Sequence, residues 1–195
     1  MTAFLGLPFW LWVIFALAAV GVAIYFVLDH LRQVRARRAI DNVISSVAFE
    51  ELRNVLLPAG AGEQIHVNYL LLTEKGLLVI DLFDVPGMIF AGEKMENWSV
   101  FGPKRHFTFS NPLPMLYDRV AAVRHLAGEH VPVQGRIVFS MRGEFPKGRP
   151  DLVIRLDELQ DPYPVVDKSP GGAAAAFAPV WAHIRESARP NPLVG

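Results

Sequence analysis

The stretch Asn68-Tyr69-Leu70-Leu71-Leu72-Thr73-Glu74-Lys75-Gly76-Leu77-Leu78-Val79-Ile80-Asp81 decides the fold. Glu74-Lys75-Gly76 is a tight-turn sequence, and the runs on either side of it, Gln64 to Thr73 and Leu77 to Phe83, predict the two strands of a hairpin. Leu70-Leu71-Leu72 and Leu77-Leu78-Val79-Ile80 are apolar at consecutive rather than alternate positions. Side chains on a strand point alternately to two faces, so both strands are expected at the centre of a sheet covered on both sides.

Upstream of the hairpin, Asp41-Asn42 predicts the cap of a helix running to about Leu57 and stopped by Pro58. Val43, Val47, Leu52, Val55 and Leu56 form its expected apolar stripe. Downstream, Val85-Pro86-Gly87 turns into a short strand, Met88 to Ala91. Trp98 to Phe101 and His106 to Phe109 are expected edge strands around Gly102-Pro103. A second helix is predicted from about Leu113 to Ala127, with Leu116, Val120, Val123 and Ala127 on one face. Val133 to Ser140 follows as a strand, and Leu152 to Leu156 as a late one. After Ser169-Pro170-Gly171-Gly172, a helix from Ala173 to Ser187 carries Phe177, Trp181 and Ile184 on one face. The order predicts an α/β fold, a small mixed β-sheet flanked by helices.

The N-terminus is of another kind. No charged side chain precedes Asp29, and Phe4 to Leu28 is an almost unbroken apolar run. As a helix, 25 residues rise about 37 Å, against roughly 30 Å of bilayer hydrocarbon. Trp10 and Trp12 sit toward one end and Tyr25 toward the other, as interfacial aromatics do. Arg32, Arg35, Arg37 and Arg38 follow at once. That flank predicts a single-pass anchor with its N-terminus outside and the remaining domain in the cytoplasm, at the inner membrane. A cleaved signal peptide would carry its basic residues before a shorter apolar core.

The 195 residues divide on this reading into an anchor with its basic flank (1–38), an α/β domain (39–160) and a Pro/Gly linker with a C-terminal helix (161–195). Nineteen basic and nineteen acidic residues cancel overall; residues 1–38 hold four Arg and one Asp, so 15 basic and 18 acidic residues remain beyond them. A soluble part near −3 offers no footprint for a polyanion, and nucleic acid is not an expected partner; the bilayer and a protein are. The absence of cysteine excludes disulfides, thiolate metal sites and a cysteine nucleophile. His125 and His130 are five apart and no His-Glu-x-x-His occurs, so the six histidines are read as surface residues. There is no P-loop and no Gly-x-Ser-x-Gly elbow. Phe101-Gly102-Pro103-Lys104-Arg105-His106-Phe107 mixes base and aromatic, and is read as a hairpin with a solvated tip.

The hairpin sequence resembles the centre of the nuclease-related domain (NERD) family. Gly87-Met88-Ile89-Phe90-Ala91-Gly92, Trp98, Asn111-Pro112-Leu113 before a helix, and Glu50-Glu51 in the expected preceding helix extend the resemblance in order, over about residues 41 to 140. It implies a restriction-endonuclease-like fold of the PD-(D/E)xK kind and magnesium-dependent phosphodiester cleavage. Converging carboxylates would hold the hard cation and a lysine would act on the attacking water. The resemblance places Asn68 where the family has an aspartate, Tyr69 at the histidine, Asp81 at the glutamate and Phe83 at the lysine. Glu51 and Asp81 are then the remaining candidate metal ligands, and Glu51, Asn68, Asp81 and Phe83 a vestigial catalytic set. Magnesium is expected only if the roles have moved, with Asp84, Lys75, Lys94 and Lys104 as the replacements to consider. The expectation is a non-catalytic interaction or scaffold module held at the membrane, with no cofactor.

Overall fold

The computed structural model describes residues 9–60, 62–102, 105–167 and 173–192. The chain forms two compact units, Met1–Asp41 and Asn42–Gly195.

The described residues of the first unit are helical, in α1 (Phe9–Ser46), whose last residues belong to the second unit. Residues 17–28 are all exposed, including Leu17, Ile24, Tyr25 and Phe26. Among the described residues this is the one helix long and apolar enough to cross a membrane, with a mean hydropathy of 1.4 over its best window and none of that window buried. Phe4 to Pro8 of the expected span lie outside the described residues.

The second unit is mixed α/β with two mixed sheets. Its elements are β1 (Glu50–Gly60), β2 (Glu63–Thr73), β3 (Gly76–Phe83), β4 (Gly87–Phe90), β5 (Asn97–Phe101), β6 (His106–Ser110), α2 (Leu113–Ala127), β7 (Val133–Phe139), β8 (Gly143–Glu144), β9 (Val153–Arg155), α3 (Ala178–Ser187) and β10 (Arg189–Pro190). The larger sheet has the order β10-β1-β2-β3-β7-β9, and the smaller one β6-β5-β4-β8. The expected single sheet is therefore two, and the segment from 97 to 101 is inside the smaller one, with only β6 of the expected pair at an edge.

The helix expected to reach Leu57 stops at Ser46, and Glu50 with Glu51 open a strand instead. Leu52, Val55 and Leu57 all pack on the same core. Their spacing mimics a helix because Asn54 lies between them in the left-handed region, at φ 50°, and reverses the alternation of the strand. On β2, opposite Asn54, Val67 and Leu70 are likewise three residues apart and share that core across Asn68. Pairing with β2 along Glu50 to Pro58 then satisfies the backbone, and tertiary pairing overrides the local pattern.

The hairpin is central, as its consecutive apolar residues require. β2 pairs β3 antiparallel from Tyr69–Ile80 to Thr73–Gly76, and β3 pairs β7 in parallel from Leu77–Val133 to Phe83–Phe139. One face of this sheet buries Leu70, Leu72, Val79 and Ile137 with Leu116 and Val123 of α2 and Trp181 and Ile184 of α3. Leu71, Leu78 and Val138 are buried on the other face. There Ser46 accepts from the Val166 N–H at 2.9 Å, and Tyr163 donates to Gln134 at 2.6 Å.

Candidate functional site

The ladder between β2 and β3 ends at Tyr69–Ile80, one residue short of Asn68 and Asp81, which face each other across the continued register. From there side chains replace backbone. The Leu82 N–H donates to Asn68 Oδ1 at 3.1 Å, and Asn68 Nδ2 donates to Asn54 Oδ1 at 3.1 Å. Both ends of the Asn68 amide are thus spent on holding three strands together.

Asp81 is on the face covered by α2 and is 3% exposed. Arg119 of α2 donates from Nη1 to Asp81 Oδ2 at 2.5 Å, and from Nε to the His66 carbonyl at 2.6 Å. Burial pushes the Asp81 carboxyl above its ordinary value, with the Arg119 charge and hydrogen bond pulling the other way. Burial also holds His66 below its ordinary value, helped by Arg119 and opposed by Asp81. Asp81 Oδ1 and His66 Nε2 are both buried without a hydrogen-bond partner among the described residues.

Phe83 lies in an aromatic layer. Its ring stacks on Phe139 with centroids 5.3 Å apart and on Phe109 at 5.8 Å, and Trp98 meets both of those rings. Glu51 points to the opposite face of the sheet from Asp81. It accepts from Ser45 Oγ at 2.9 Å and from Arg53 Nη2 at 2.6 Å, and Arg53 in turn reaches over Tyr69. Glu50 accepts from Trp181 Nε1 at 2.7 Å and from Arg185 at 3.2 Å.

The structure therefore brings Asn68 and Asp81 together, with Phe83 one alternation further along β3, and leaves Glu51 apart. Of the replacements, Lys75 and Asp84 are engaged elsewhere. Lys75 donates to the Pro162 carbonyl at 2.6 Å, at the far end of β3 from Asp81, about 20 Å away by strand rise. Asp84 accepts from Ser140 Oγ at 2.6 Å and from Arg142 at 3.1 Å. Lys94 lines a separate surface groove with Glu93, Lys147 and Asp151, and Lys104 lies outside the described residues.

A hard divalent cation needs several converging oxygens, with carboxylates among them. Among the described residues no group of three or more His, Asp or Glu side chains converges. The one buried carboxylate on this face is already held by a guanidinium, so the residues do not fit magnesium.

Reading the sequence missed Arg119 and His66. Arg119 was legible: it lies on the same stripe of α2 as Leu116 and Val123, and an arginine on a buried stripe requires a buried counter-charge. The surface reading of His66 is corrected by the burial of its Nε2. It is a polar residue on a strand running under a helix, and nothing in its spacing shows that.

A family model for the nuclease-related domain matches residues 28–140, more than half of the chain. An uncharacterised protein of Bacillus anthracis is 24% identical over 81 residues, which are 42% of this chain and 38% of that protein, so less than half of the relative's length is covered. No solved structure matches.

Proposed function

This chain belongs to the nuclease-related domain family, and we propose that it is a non-catalytic member, anchored in a membrane by α1 and working as an interaction or scaffold module on the cytoplasmic side. The observation that carries the reading is the pairing of Asp81 with Arg119. The carboxylate at the position of the family's glutamate has an internal cation in place of a metal ion. Asn68 is locked as a strand connector, and Phe83 fills the lysine position with a stacked ring.

The larger sheet supports a restriction-endonuclease-like fold, since an antiparallel β1-β2-β3 meander is continued by a parallel β7 with α2 on its face. The exposed apolar surface of α1 followed by Arg32, Arg35, Arg37 and Arg38 supports the anchor and its orientation.

A nuclease assay on single- and double-stranded DNA and on RNA, with the full chain and either magnesium or manganese, tests the reading. No cleavage above a protein-free control is expected. Metal-dependent cleavage lost in Asp81→Ala would establish the other reading, a membrane-tethered nuclease with relocated residues.

A further inference from the structure

β7 is flanked by β3 along its whole length, but β9 pairs it only from Ile137 onward. Residues 133–136 therefore leave one edge open, beside α2. The Ile137 N–H points to the β9 side, donating to the Leu152 carbonyl, while the Pro132 carbonyl points to β3 and accepts from Leu77. By alternation the N–H and C=O groups of Val133 and Gly135 point to the open edge. Both carbonyls are taken: Arg124 Nη2 donates to Val133 at 3.3 Å and Arg136 Nη1 to Gly135 at 2.8 Å. What the edge still offers is N–H.

A groove of about 510 Å³ opens on this edge, within the range of small-ligand sites. No Asp or Glu lines it among the described residues. Six of the eight other arginines of the same unit, at 53, 119, 142, 149, 155 and 185, are each paired with a carboxylate. Arg124 and Arg136 have no carboxylate partner among the described residues. Each uses one of its five N–H donors on a carbonyl, and Arg136 also lies over the Tyr163 ring, 5.9 Å from its centroid; no carboxylate takes the remaining N–H groups among the described residues. The remaining walls are Leu116, Val120 and Leu152 together with Gln134, whose Oε1 accepts from the Tyr163 hydroxyl, and the Tyr117 ring is 55% exposed at the rim.

A floor of N–H donors with two arginines, no carboxylate and mostly apolar walls selects an oxyanion on an apolar or aromatic body. We infer that the groove between α2 and the open edge of β7 binds a small phosphate monoester, with Arg124 and Arg136 as the paired guanidinium groups and the Val133 and Gly135 N–H groups as further donors. Two arginines match the dianionic charge and the several terminal oxygens of a monoester better than a single carboxylate would. A mononucleotide and a phosphatidic acid headgroup present the same chemistry. The inference is independent of the state of Asp81.

The test is calorimetric titration of the full chain in neutral detergent with adenosine monophosphate and with dihexanoyl phosphatidic acid, against adenosine and dihexanoyl glycerol as the unphosphorylated controls. Saturable, sub-millimolar binding of at least one monoester is expected, and none of its control. Binding should weaken at least tenfold in Arg136→Gln. Ala121→Glu gives a second variant: Ala121 lines the groove at an exposed position of α2, so the substitution adds a carboxylate without touching the core. It should abolish binding with the unfolding transition unchanged. Preference for the nucleotide identifies a soluble ligand, and preference for the lipid a headgroup. Failure of both monoesters to bind, or binding that survives both variants, would overturn the inference.

Discussion

Arg119 Nη1 and Asp81 Oδ2 are 2.5 Å apart, and the pair joins α2 to β3, a central strand of the larger sheet, beneath a covered face. The same guanidinium reaches the His66 carbonyl, so one side chain ties α2, β2 and β3. An ion pair this buried is stabilising only relative to its broken forms. Its charges cost much to desolvate, and a half pair costs more.

Arg119→Met should therefore destabilise the domain by about 3–5 kcal/mol, because it strands a buried carboxylate. The double variant Arg119→Met with Asp81→Leu should recover most of that loss. Urea unfolding of the two singles and the double, treated as a double-mutant cycle, gives the coupling directly. A double variant as weak as the sum of the singles would show that the pair is not the unit described.

The pH dependence has two opposing parts. His66 is held below 6.5, so its contribution is fully present above 6.5 and is lost as the pH falls through the folded-state value. Asp81 is raised above 3.8, so its contribution is fully present below 3.8 and is lost as the pH rises through its folded-state value. His66→Gln should flatten the rise of stability with pH below 6.5, and Asp81→Asn should remove the fall above 3.8. Midpoints of denaturant unfolding across pH 3 to 8 for the three proteins provide the comparison.

Much of the fold is legible in the sequence because consecutive apolar residues in Leu70–Leu72 and Leu77–Ile80 admit only a doubly covered strand pair. α2 was legible from its stripe and from the Pro112 start. β1 was not, since a left-handed asparagine inside a strand produces apolar spacing of helical period. At the site, the expected family positions of Asn68, Asp81 and Phe83 rest on the resemblance alone. What each one does was not legible, because the partners Asn54 and Arg119 are 14 and 38 residues distant from Asn68 and Asp81 and are joined to them only by the folded sheet and helix.

Gly135 sets how closely α2 approaches the sheet. A Cβ there would lie 2.6 Å from Val120 Cγ2 and 3.1 Å from Leu116. Gly135→Ala should cost about 1–3 kcal/mol by overpacking, read from the unfolding midpoint. An unchanged midpoint would mean that α2 shifts freely.

Phe83→Lys should not recreate a nuclease on its own. An ammonium placed against Phe139 and Phe109 loses the stacking and half-buries a charge among aromatic rings, so destabilisation of about 1–2 kcal/mol is expected. Thermal unfolding and a plasmid-nicking assay on the same variant check both halves.

The proposed anchor predicts that the full chain stays in the pellet on alkaline carbonate extraction of membranes, and that a chain lacking residues 1–38 does not. Protease added from the cytoplasmic side should reach the α/β domain. Protection of the domain on that side would reverse the proposed orientation.

The central claim is that an arginine occupies the charge that a metal ion would need. Calorimetric titration of the full chain with magnesium and with manganese tests it most directly. The account predicts no saturable binding in the sub-millimolar range, for the full chain and for Asp81→Ala alike. Sub-millimolar binding by the full chain that disappears in Asp81→Ala would contradict it.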